Sequence, residues 1–145
     1  MREGLVIAAL LCASTMSGCM QHSNPPANLN LSLSRPTDQG RYVILIEPPA
    51  EPLRVNRMHA WRVAVRTAAG EPVQHASIAV SGGMPQHGHG FPTQPRVSPL
   101  PEAGSYVLEG MKFSMTGWWE IKLEVRSPQG VDHVTFNTVL PASAG

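Results

Sequence analysis

From Tyr42 onward the chain is divided into short runs of β-favouring residues, each closed by Pro or Gly. Fourteen prolines and thirteen glycines in 145 residues leave little room for helices of ordinary length. Trp118 to Val125 is the clearest run, with Trp119, Ile121, Leu123 and Val125 on one face and Glu120, Lys122 and Glu124 on the other. A period of two is the mark of a half-buried strand. His59 to Arg66 repeats the pattern, with Trp61, Val63 and Val65 inward and Arg62 and Arg66 outward. Tyr42–Ile46, Ser77–Val80, Arg96–Ser98, Ser105–Glu109 and Val131–Val139 complete a set of seven. Turn chemistry at Ala69-Gly70-Glu71-Pro72, Glu102-Ala103-Gly104 and Ser127-Pro128-Gln129-Gly130 separates them. Seven short strands without helical periodicity predict an all-β domain, an immunoglobulin-like antiparallel β-sandwich.

The N-terminus is of a different kind. Arg2 precedes an apolar run from Leu5 to Leu11 and a small-residue stretch ending in Met16-Ser17-Gly18-Cys19. This has the length of a secretory signal and is too short to span a membrane. The Ser-Gly-Cys ending resembles a bacterial lipobox, which implies cleavage before Cys19 and lipid on its sulfur and amino group. Met20, in place of Asp, makes the outer membrane the expected destination, with the protein facing the periplasm. The expected organisation is a signal peptide over 1–18, a lipidated flexible tether over 19–40 and one sandwich domain over 41–141. The tether is rich in Asn, Ser and Pro, and about twenty such residues reach on the order of 25 Å on average and about 70 Å fully stretched. His22 lies within it and reads as a solvated residue.

Cysteine usage then excludes whole classes of chemistry. Cys12 leaves with the signal and Cys19 carries lipid, so the mature domain has no thiol. Thiol nucleophiles, CxxC redox chemistry and cysteine zinc sites are excluded together. Loss of Arg2 and Glu3 leaves the formal net charge at +1, with Lys112 and Lys122 the only lysines. No basic field for nucleic acid results. No paired carboxylates or Ser/His/Asp set stands out, and adjacent Asp132 and His133 face opposite sides of their strand. The chain is therefore not expected to be an enzyme.

One loop remains as a carrier of specific chemistry. Met84-Pro85-Gln86-His87-Gly88-His89-Gly90 puts a thioether and two imidazoles within six residues, between the third and fourth expected strands. If 87–89 is extended, His87 and His89 project to one side. Thioether with imidazole suits copper, the sulfur favouring Cu(I). A second segment, Met111-Lys112-Phe113-Ser114-Met115-Thr116-Gly117-Trp118, joins two later strands. If it lies at the same end of the sandwich, Met111 or Met115 would complete a set with Met84, His87 and His89. Trp118 would then shield the ion. The competing reading makes Met111 and Phe113 core fillers and Trp118 a cover for the sheet edge. Among the other histidines, His59 beside Met58 is a peripheral candidate or an edge residue, and His75 and His133 read as solvated.

These segments carry a resemblance. The order Gly83-Met84-Pro85-Gln86-His87-Gly88-His89-Gly90, Thr93-Gln94-Pro95-Arg96-Val97, Gly104-Ser105-Tyr106 and Met111 to Glu120 resembles the YtkA-like/FixH-like family of small extracytoplasmic β-sandwich domains. The resemblance spans about Met58 to Val139. It implies copper handling and assembly of respiratory oxidases, with an envelope copper protein or an oxidase-assembly factor as partner. It also implies a metal site at Met84, His87 and His89, with Met115 behind them. FixH-like members usually have a transmembrane anchor where this chain has a lipobox. Two functions are carried forward: a tethered copper-binding lipoprotein, and a metal-free interaction module whose Gly/Pro-rich loop is a structural arch.

Overall fold

The computed structural model describes residues 24–142; the signal segment, Cys12, Cys19 and His22 lie outside the described residues. Nine strands form two antiparallel sheets: β1 (Ser34–Pro36), β2 (Tyr42–Glu47), β3 (Met58–Thr67), β4 (Ser77–Met84), β5 (His89–Gly90), β6 (Arg96–Pro99), β7 (Ser105–Lys112), β8 (Gly117–Ser127) and β9 (Gly130–Leu140). One sheet has the order β1-β2-β3-β7-β6 and the other β5-β4-β8-β9. The all-β sandwich is therefore observed, and the seven expected segments all form strands. The two additions are short, and neither has a hydrophobic alternation of its own.

The core lies between the sheets and is supplied by the alternating positions. Tyr42, Ile44 and Ile46 of β2, Trp61, Val63 and Val65 of β3, and Trp119, Ile121, Leu123 and Val125 of β8 are all buried. Fully burying an aliphatic or aromatic side chain contributes about 1.5–3 kcal/mol, so these rows fix which face of each strand turns inward. The Gly104-Ser105-Tyr106 segment is part of this framework. Gly104 has φ +72° and its carbonyl accepts the Val65 amide at 2.8 Å. The buried Tyr106 hydroxyl donates to the Val73 carbonyl at 2.7 Å and accepts the Ala76 amide at 3.0 Å.

The segment expected as tether is ordered sandwich from Ser34 onward. β1 pairs with β2, and the Arg35 guanidinium donates to the Thr135 carbonyl of β9, in the opposite sheet. Thr37 and Asp132 are both buried and joined at 2.7 Å. Tertiary contacts hold these residues where composition gave no cue.

Candidate metal centre

The four-residue turn 85–88 joins β4 to β5, and the segment 113–116 joins β7 to β8. Gly83, near the end of β4, pairs with Glu120, near the start of β8. The turn and the segment therefore lie at the same end of the sandwich, as the copper reading requires.

The turn closes tightly. The amides of His87 and Gly88 both donate to the Met84 carbonyl, at 3.1 and 3.0 Å. Gly88 occupies the left-handed region at φ +65°, which a residue with a Cβ resists. His87 is thus in a turn and not in an extended stretch, but the two imidazoles still come together. Their ring centroids are 5.8 Å apart with planes 26° from parallel, and both residues are exposed. The His89 ring also lies against Trp119, centroids 6.0 Å apart and planes at 67°. A groove of about 340 Å³ runs beside His89 and Gly88, with Glu120 and Lys122 in its wall. These two are ion-paired at 2.9 Å.

The three candidate methionines separate. Met84 is 1 % exposed, its methyl group against Gly117, where an added Cβ would stand 3.3 Å away. Met111 is fully buried in the core, in line with the core-filling reading. Met115 is 43 % exposed. Its carbonyl accepts the Trp119 indole N–H at 3.0 Å, which ties the segment to the ring beside His89. Trp118, expected over the ion, instead donates its N–H to the Asn137 side chain at 2.9 Å. Trp119 is the neighbour of His89. Sequence reading assigned it only to the core, and its place one residue after Trp118 gave no cue to the second role.

The other histidines divide as well. His75 and His133 are exposed, and His133 lies 3.2 Å from Glu124. His59 is half-buried against Phe113, centroids 5.0 Å apart, and its Nδ1 accepts the Trp61 N–H at 2.9 Å. The neutral ring must then carry its proton on Nε2, which is sealed from solvent without a partner. Burial pushes the His59 pKa below its ordinary value of 6.5. His59 also lines a cleft of about 620 Å³ bounded by Pro49, Leu53, Arg54 and Arg57. Met58 beside it is exposed on the other side of the strand, so the two do not form a ligand pair.

Among the described residues no group of three or more His, Cys, Asp or Glu side chains converges. A metal at this end would therefore draw on two imidazoles and a thioether.

No curated protein matches this chain. Among solved structures, the ZirS C-terminal domain aligns over 94 % of this chain and 95 % of its own length, at 10 % identity and a TM-score of 0.39. The YtkA-like family model matches residues 38–124, from just before β2 through most of β8 and including the whole His/Met turn. With the match covering more than half of its length, the chain belongs to the YtkA-like family.

Proposed function

We propose that this YtkA-like domain binds copper as Cu(I) through His87, His89 and the thioether of Met115, as a cell-envelope protein that handles the metal. The observation that carries the reading is the pair of exposed imidazoles stacked 5.8 Å apart, one of them against Trp119, whose N–H bonds the backbone carbonyl of the exposed Met115. Two nitrogens and one thioether suit Cu(I) and need no thiol. An exposed turn also suits ligand exchange with a partner, such as an envelope copper protein or an oxidase under assembly. Met84, whose side chain lies in the core, supports the turn from below. Lipid on Cys19 and an outer-membrane location belong to the same proposal.

The test is titration of residues 24–142 with Cu(I) against a competing chelator. Loss of even an outer-shell partner weakens metal sites by about ten- to a hundredfold, so removing both imidazoles is expected to cost more than about tenfold. Affinity unchanged in the His87→Ala, His89→Ala double variant would sink the proposal.

Burial of both Met84 and Met111 favours the second reading, a metal-free interaction module. On that reading the stacked histidines and the groove beside Glu120 form a docking surface. Wild-type protein that takes up no Cu(I) in the same titration decides for it.

A further inference from the structure

Trp119 contacts both halves of the proposed site. Its side chain is fully buried in β8, its ring centroid is 6.0 Å from that of His89, and its N–H bonds the Met115 carbonyl at 3.0 Å. The ring is itself fixed from two sides. Phe91 stacks on it at 5.8 Å with planes 1° apart, and Phe113 tilts against it at 5.1 Å. A buried indole N–H needs an acceptor, and here the Met115 carbonyl supplies it. The other two tryptophans are committed elsewhere, Trp61 to His59 and Trp118 to Asn137.

We infer that Trp119 is the positioning residue of the copper site, joining the β4–β5 turn to the 113–116 segment and presenting Met115 to the two imidazoles. The inference rests on the copper reading. An exposed methionine on a free segment would lose backbone and rotamer entropy on coordinating, whereas a segment already fastened loses less. The same ring lies against His89, so one rigid group borders both the imidazole and the segment that carries the thioether.

The experiment separates the hydrogen bond from the packing. Trp119→Phe removes the N–H and part of the ring; replacement by 1-naphthylalanine keeps a bicyclic ring and removes only the donor. Both proteins are loaded with Cu(I) and examined by X-ray absorption for copper–sulfur and copper–nitrogen scattering, alongside chelator competition. The expected result is loss of the sulfur shell with the nitrogen shell retained, and affinity weaker by about ten- to a hundredfold, as when a group that orients a ligand is removed. Met115→Leu should give the same loss, and combining it with either replacement should add nothing. If the Phe protein does not fold, the naphthylalanine protein decides. Wild-type affinity with the sulfur shell intact in that protein overturns the inference and leaves the copper reading standing. Failure of the wild type to bind Cu(I) overturns both.

Discussion

Met84, Met111 and Met115 are the same side chain in three situations, and only their surroundings assign them. Met111 shows how that assignment is made. Strict alternation from the inward Tyr106 and Leu108 would turn Gly110 inward and Met111 outward. The register between β3 and β7 shifts between His59 and Trp61, however, and Gly110 takes φ +77°. Two residues, Glu109 and Gly110, then stand against Ala60, a bulge that turns the next side chains to the opposite face. Met111 swings into the core and is fully buried. Removing most of a buried methionine typically costs about 2–5 kcal/mol. Met111→Ala should therefore lower the melting temperature sharply, while Met111→Leu leaves Cu(I) affinity at the wild-type value. Met115→Leu should do the opposite, with stability within about 0.5 kcal/mol and Cu(I) affinity reduced. Calorimetry and chelator competition on the three proteins check both halves. The chemical type of these residues was legible in the chain, but the side to which Met111 points depended on a bulge that no local pattern announced.

The β4–β5 hairpin is the element that makes the histidine pair. β5 has only two residues, so its attachment rests on Gly83↔Gly90 and Met84↔His89. Close approach is possible because Gly83 has no side chain: a Cβ there would lie 2.2 Å from the His89 carbonyl oxygen and 2.7 Å from the Gly90 Cα. Its backbone, at φ +157°, is also in a range that L side chains rarely adopt, so torsion adds to the contact. Gly83→Ala should push β5 off β4, separate the two imidazoles and weaken Cu(I) binding, at a cost of about 1–3 kcal/mol for the forced shift. Loss of amide-exchange protection at His89 and Gly90, with β8 and β9 still protected, would be the signature. Unchanged protection there would show that the turn holds itself without the sheet. In the sequence, Gly82-Gly83 reads only as the end of a strand. Its use as a slot for the returning chain comes from pairing.

Across the whole molecule, the segment before β2 is fastened to the opposite sheet through Asp132. The carboxylate is buried on β9 and accepts from the Thr37 hydroxyl and from the amides of Gln39, Arg41 and His133. Burial alone would raise its pKa, but the bonds from Thr37 and the three amides outweigh it and hold the pKa at about 2, below the ordinary 3.8. A carboxyl with a depressed folded pKa contributes stability that is full above its unfolded pKa and is lost as pH falls through the folded one. The sandwich should therefore keep this contribution above about pH 4 and lose it between about pH 4 and pH 2. Asp132→Asn should be less stable at neutral pH by about 1–3 kcal/mol, since donors are left facing an amide. It should also show a flatter decline across that acid window. Urea unfolding at a series of pH values measures both, and parallel declines in the two proteins would remove Asp132 as the cause. This clamp is also why the ordered domain begins before Tyr42. Asp132 is separated from Thr37 by most of the chain, so nothing near either residue could signal it.

The sequence by itself determined the class of fold and the stock of ligands. Alternation of apolar residues fixes which faces are buried, and the two cysteine positions leave imidazole and thioether as the soft donors of the domain. Tertiary structure decided which of those donors share a surface. Bringing 85–88 beside 113–116, sinking Met84 and Met111, leaving Met115 exposed and setting Trp119 beside His89 all depend on pairing between strands far apart in the chain. Local pattern reports the periodicity of one strand. The neighbour that strand acquires, and any bulge that turns a side chain over, are set by the packing of the two sheets.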